Sequence, residues 1–315
     1  MTELHLSVVT PMFNESGGIE SFLDLLFVEL IKTQLSSYEV ILVDDNSTDD
    51  SFEKAKATGH AGLTVVKLSG NVGHQRAIEA GIEESTGDWI VTMDSDGEHP
   101  PSVIKEMLDT AVKEHVGVVY GVRKDRNADP RVKKWLALAY YSFTRKITGI
   151  QLQDSQADFR LISRDVAELT KQVRGDKILR VLIPALNLDS ATVSFKPELR
   201  ISGSSRYRLN HQVSMAFTSI LAFSSKPLRL TGVLGATISL ASLLWLIYVL
   251  VIYLKDGTVA GWTSVMFAVL FLGGLNLFAI SLVGLYVSQA HDMLMNKPRF
   301  SIDKIWTNAL QPDVE

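Results

Sequence analysis

The 315-residue chain contains no cysteine. Disulfides, thiolate zinc sites and a cysteine nucleophile are thereby excluded, and the composition fits a reducing compartment. Neither G-x-G-x-x-G nor G-x-x-x-x-G-K-[ST] occurs, so the usual glycine-rich phosphate loops are missing. Any bound nucleotide therefore needs another counter-charge for its phosphates. Positive charge is not in excess either. Lys and Arg number 31 against 35 Asp and Glu, a net charge of −4, which argues against a nucleic-acid partner. The N-terminus, MTELHLSVVTPMFNE, lacks a basic region followed by an apolar core, so no signal peptide is expected. No H-x-x-x-H spacing occurs before residue 226.

Apolar residues, by contrast, are plentiful at 46%, and they gather near the C-terminus. Residues 230–254 and 263–290 carry no charge. Each run exceeds the ~20 residues that cross a bilayer as a helix. The short link KDGTVAGW predicts a two-helix transmembrane hairpin. Lys226 and Arg229 precede the first run, and Lys297, Arg299 and Lys304 follow the second. The positive-inside bias puts both ends in the cytoplasm of a multi-pass protein of the inner or plasma membrane. Gly273 and Gly274 are small residues through which a homo-oligomer can form.

The first half alternates between two periods. LHLSVVTPM, YEVILVDDNS, LTVVKLS, DWIVTMD and VGVVYGVR read as strands. Between them ESGGIESFLDLLFVELIKTQ, STDDSFEKAKATG, GHQRAIEAGIEEST and PSVIKEMLDTAVKEH read as helices, the first with inward residues Ile19, Phe22, Leu23, Leu26, Phe27 and Leu30. Ser47 or Thr48 is the expected cap of the second helix. The order predicts an α/β fold with a mostly parallel sheet. In such sheets ligands bind at the carboxyl ends of strands. Three strands end there in polar groups: PMFNE at 11–15, DDNS at 44–47 and DSD at 94–96. A divalent cation on Asp94 and Asp96 would supply the missing counter-charge. Hard carboxylate ligands suit Mg²⁺ or Mn²⁺ bridging a diphosphate.

The runs VVTPMFNE, EVILVDDNSTD, LSGNVGHQRAIEAGI and GDWIVTMDSDGEHPP resemble the family-2 glycosyltransferases with the GT-A fold, which is Rossmann-like. QADFRLISR (156–164), RISGSSRY (200–207) and FSSKPLRL (223–230) narrow the resemblance to the polyprenyl-phosphate group, which includes dolichol-phosphate mannose synthases and bactoprenol glucosyltransferases. The resemblance implies inverting sugar transfer from a nucleotide diphosphate sugar to polyprenyl phosphate at the cytoplasmic leaflet. UDP-glucose is the favoured donor; GDP-mannose or another UDP-sugar is the alternative. It places Pro11, Phe13, Glu15, Val43 and Asp45 on the nucleobase and ribose, and Asp94 and Asp96 at the metal and diphosphate, with Ser95 among the donor contacts. The family usually reads D-x-D-L-Q here, and this chain has Gly97 and Glu98 instead. Glu98 either joins the metal ligands, adding negative charge, or points away. Asp158 in ADFR is the family's candidate base.

An anionic acceptor requires cations. Arg123, Arg131, Arg200 and Arg206 are candidates by position, since guanidinium forks match phosphate oxygens. Arg200 and Arg206 flank Gly203, Ser204 and Ser205, whose amides can face a phosphate. Residues 131–148 and 210–226 carry apolar faces bordered by basic residues, suiting helices in the interface plane of a lipid bilayer. The expected organisation is a GT-A domain over 1–208, a juxtamembrane amphipathic helix over 209–228, two membrane helices over 229–290 and a cytoplasmic tail over 291–315. A processive synthase is disfavoured because no Arg-Trp pair occurs. A degenerate nucleotide-sugar sensor is disfavoured by the intact Asp94, Asp96 and Asp158.

Overall fold

The computed structural model describes residues 4–124, 156–173, 178–198, 226–256, 261–295 and 298–308. The α/β unit contains strands β1 (His5–Met12), β2 (Ser37–Asp44), β3 (Leu63–Leu68), β4 (Trp89–Thr92), β5 (Val118–Arg123), β6 (Gln156–Ser163), β7 (Ser190–Phe195) and β8 (Ile302–Asn308). Its helices are α1 (Ile19–Lys32), α2 (Ser51–Ala57), α3 (His74–Glu84), α4 (Val103–Glu114), α5 (Arg164–Gln172) and α6 (Leu179–Ala185). Two longer helices, α7 (Lys226–Asp256) and α8 (Trp262–Met295), form a second compact unit.

The sheet order is β7-β5-β6-β4-β1-β2-β3-β8. The central strands β4, β1, β2 and β3 are parallel to their neighbours in that group. β1 is buried along almost its whole length and β2 from Val40 onward, as strands covered on both faces must be. The five strands read from the sequence are all present, but β5 does not lie beside β4. β6 runs antiparallel between them and pairs with both. The sheet is therefore mixed. This insertion matters for function, because it carries Asp158 into the middle of the sheet.

Helix α1 buries Ile19, Phe22, Leu23, Leu26, Phe27 and Leu30, the set its 3.6-residue spacing predicts. The cap of α2 is Asp50, not Ser47 or Thr48. Ser47 is committed elsewhere: its hydroxyl accepts the Asn14 amide at 3.0 Å and laces the β1–α1 loop to the β2–α2 loop. Helix α3 lies close over β1 and β2 because Gly81 allows it. A Cβ there would stand 2.3 Å from Val9 Cγ1 and 3.0 Å from Val43 Cγ2. Both neighbours are β-branched and cannot turn aside. At a 2.3 Å approach overpacking falls in the upper part of its range, about 2–3 kcal/mol, and helix propensity returns about 1 kcal/mol. Gly81→Ala is therefore expected to lower stability by about 1–2 kcal/mol, read from urea unfolding; unchanged or raised stability would refute this packing.

Residues 302–308, read from the sequence as part of a tail, form the edge strand β8, antiparallel to β3. Trp306 packs against the core there. Among the described residues one helix window, Phe271–Ser288 of α8, is long and apolar enough to cross a bilayer. The other expected span yields only a shorter apolar stretch, Thr231–Trp245, so the two-span reading is not met in full. On α8, Leu277, Phe278 and Ile280 are exposed, as are Trp245 and Leu254 on α7. The interfacial helices expected over 131–148 and 210–226 fall outside the described residues, save Lys226, which begins α7.

Candidate active site

The site grows out of the carboxyl ends of β1, β2 and β4. At the end of β2, Asp45 is buried, and both its oxygens accept backbone amides, from Val72 at 2.7 Å and Gly73 at 2.9 Å. Burial raises its pKa despite those two bonds. Gly73 has φ +92°, a conformation open to glycine, and the helix α3 starts directly after it. Asp45 thus fixes where α3 begins and so where its first residue, His74, points.

His74 reaches two carboxylates. Its Nε2 lies 3.2 Å from Asp94 Oδ1 and 3.4 Å from Asp158 Oδ2. Burial alone would lower its pKa, but hydrogen bonds and charge from Asp158 and Asp94 outweigh that and raise it to about 10. The imidazole is therefore a cation at neutral pH.

Asp158, on β6, is the hub. It is 4% exposed, and Arg160, two residues along the same strand face, holds its Oδ1. Arg180 of α6 donates to its Oδ2 at 2.9 Å. Burial would raise its pKa, but Arg180, His74 and Arg160 hold it well below the usual carboxylate range. A group so stabilised as an anion is a poor proton acceptor, since a general base works best with a pKa near the operating pH.

Asp94 follows β4. Its backbone amide donates to His99 Nδ1 at 3.0 Å. His99 is fully buried, stacked on Phe159 at 5.1 Å and edge-on to Phe195 at 5.7 Å. Burial lowers its pKa, and the accepting Nδ1 requires a neutral ring. His99 is thus not the turn residue that HPP suggests but a buried brace behind Asp94. Burial opposes ionisation of the Asp94 carboxyl, and the His74 imidazolium beside it favours ionisation.

Asp94 Oδ1 accepts no aligned hydrogen bond although it is buried. Asp96 accepts the Glu98 amide through Oδ1 at 3.0 Å, and Gly97 at φ +84° turns the chain between them. Among the described residues no three His, Asp or Glu side chains are grouped so as to hold a metal ion by themselves. Mg²⁺ commonly takes only one or two carboxylates plus substrate phosphates. Asp94 and Asp96, two hard carboxylates at one strand end, fit that donor set. Glu98 does not extend it: its Oε2 receives Arg123 Nη2 at 2.7 Å.

The remaining expected donor residues divide. Ser95 is buried, and its hydroxyl donates to the Pro11 carbonyl at 2.9 Å, tying the ends of β1 and β4. Val43 is buried under α3, Phe13 is 37% exposed, and the Glu15 carbonyl begins the turn into α1. Arg123 ends β5 at the same edge. Arg131, Arg200, Ser205 and Arg206 lie outside the described residues. Sequence reasoning missed Arg160 and Arg180. Arg160 had a signal, standing one strand period from Asp158 in ADFR; Arg180 had none.

Residues 7–170 match Glycosyl transferase family 2. The chain is 32% identical to an uncharacterised glycosyltransferase, YkoT, of Bacillus subtilis, over 98% of this chain and 94% of that one. It is 27% identical to the prophage bactoprenol glucosyl transferase homologue of Escherichia coli, over 96% and 99% respectively. The fold is that of glucosyl-3-phosphoglycerate synthase from Mycobacterium tuberculosis, solved with Mn²⁺, UDP and phosphoglyceric acid, at a TM-score of 0.52 and 22% identity over 69% of this chain and 76% of that one. With the mixed sheet and acidic strand ends as its frame, the chain belongs to glycosyl transferase family 2 and is a glycosyltransferase.

Proposed function

We propose that this enzyme transfers a sugar, with inversion, from a nucleotide diphosphate sugar to a polyprenyl phosphate. UDP-glucose is the preferred donor; GDP-mannose or another UDP-sugar is the second choice. The observation that carries the reading is the cation-ringed Asp158 beside Asp94, at the strand edge where the donor diphosphate would lie. The bactoprenol glucosyl relative supports both the lipid acceptor and glucose.

A divalent cation bound to Asp94 and Asp96 would neutralise the diphosphate and ease its departure. The chain's own residues do the rest. A phosphate oxygen of the acceptor forms the new bond to the anomeric carbon as the bond to the diphosphate breaks, so nucleoside diphosphate leaves. The acceptor monoester has a second pKa near ~6 and arrives mostly deprotonated at neutral pH. No base is needed, which suits the low pKa of Asp158. His74, Arg160 and Arg180 are arranged around Asp158 as a fixed positive field at the site of charge transfer. Arg123, Arg131, Arg200, Ser205 and Arg206 are assigned to the acceptor phosphate.

The lipid acceptor calls for a membrane. Helix α8 supplies an apolar window, and we assign α7 to the bilayer with it. β8 follows α8 yet pairs with β3, which precedes α7. A chain that leaves the α/β unit and returns to it crosses a bilayer an even number of times, so one span requires a second. The catalytic unit then sits on the cytoplasmic side.

The deciding assay uses purified protein, polyprenyl phosphate, Mg²⁺ or Mn²⁺ and a panel of sugar nucleotides. A lipid-linked hexose is expected with UDP-glucose, falling at least about a hundredfold on chelation. Binding of a donor without any lipid-linked product would replace this reading with that of a sensor.

A further inference from the structure

Glu98 and Arg123 were expected in different places, one near the metal and one on the acceptor phosphate. They form an ion pair at 2.7 Å, with side-chain exposures of 17% and 36%. The two ends of this contact are not equally free. The Glu98 backbone is pinned on both sides. Its amide donates to Asp96 Oδ1 at 3.0 Å, and its carbonyl accepts the Glu198 amide at 3.3 Å. Gly97 at φ +84° precedes it and buried His99 follows it. Arg123, by contrast, ends its strand on a long side chain that is more than a third exposed. Glu98 therefore holds its position, and Arg123 comes to it.

A guanidinium captures phosphate best through two parallel N–H donors. Nη2 belongs to both two-donor edges of an arginine, and it is the nitrogen that Glu98 engages. A carboxylate is also the side-chain group most like a phosphate: planar rather than tetrahedral, but anionic and an acceptor only. We infer that Glu98 occupies the place of a substrate phosphate on Arg123, so that the two compete for one guanidinium and Glu98 sets how tightly phosphate binds. This rests on the transferase reading above. It also explains how a third acid is tolerated two residues from Asp96: with Arg123 turned to it, Glu98 adds no net charge at the strand end.

Two substrate phosphates can meet Arg123, the donor diphosphate and the acceptor monophosphate. The test uses the full-length protein in detergent, titrated calorimetrically with UDP and separately with a short polyprenyl phosphate. Glu98→Gln keeps the size and removes the charge. It is expected to tighten one ligand by about fivefold, the scale of a partly exposed ion pair. Arg123→Gln should weaken that same ligand, and adding Glu98→Gln to Arg123→Gln should change nothing further. The ligand that responds identifies the phosphate. The inference is overturned if Glu98→Gln leaves both affinities unchanged or weaker, or if its effect survives without Arg123. Glu98→Asp, which keeps the charge but shortens the reach, serves in the same cycle should the glutamine variant fail to fold. Because binding is read directly, absence of sugar transfer would sink the functional reading without touching this one.

Discussion

Asp158→Asn should lower kcat/KM by about a thousandfold, roughly 4 kcal/mol of transition-state stabilisation. The size of the effect comes from what surrounds the carboxylate rather than from proton transfer. Asp158 is the anion that Arg160, Arg180 and His74 share. Removing its charge leaves three cations facing one another at a buried point, and breaking one side of a buried pair typically costs about 3–5 kcal/mol. Stability should fall as well, and the cations should reorient. The pH profile separates this role from that of a base. Because the Asp158 pKa is depressed, the group is already ionised above the ordinary carboxylate range, and it can contribute no ascending limb between about pH 5 and 8. Any rise of kcat/KM in that window should follow the acceptor phosphate and persist in the variant at a lower plateau. Near-normal turnover would remove Asp158 from the mechanism. Loss of the ascending limb on substitution would restore the base.

The sequence revealed what is local and left hidden what depends on partners far along the chain. Strands β1 to β5 and helices α1 to α4 announce themselves because each buries its own apolar pattern, and burial continues β4 straight into Asp94. β6 does not, since Asp158 and Arg160 alternate with Phe159 and Leu161. Two buried charges in a strand make sense only once they pair with each other and with Arg180, twenty residues onward. β7 has clean alternation, but SATVSF is short and falls between the family motifs. His99 looks like a turn residue beside two prolines; only the Phe159 and Phe195 rings, from strands distant in sequence, make it a core residue. Glu98 and Arg123 sat in separate expected sites because 25 residues divide them, and the Gly97 turn that joins them is not encoded in either.

The same reasoning applies most strongly at the C-terminus, where the largest stability effect is expected. IDKIWTN carries two charges in seven residues and reads as tail, yet it completes the sheet edge against β3. Just before it, Arg299 pairs with Glu79 Oε1 of α3 and donates to the Val173 carbonyl at 2.9 Å. The Glu79 side chain is only 5% exposed. Taking the guanidinium away from so buried a carboxylate is expected to cost about 3–5 kcal/mol, measured as a shift in urea midpoint at constant slope. Arg299→Lys should recover part of that, since an ammonium supplies charge but not the fork that reaches both partners. Ending the chain at residue 297 should cost more still, because it also strips Trp306 from the core and exposes the β3 edge to pairing with other chains. Activity should drop in step, as α3 carries His74 to Asp94 and Asp158. If Arg299→Ala unfolds within about 0.5 kcal/mol of the unaltered protein, the scale of an ordinary surface substitution, then this contact does not hold α3. The catalytic geometry would then rest on Asp45 and the Gly73 turn alone.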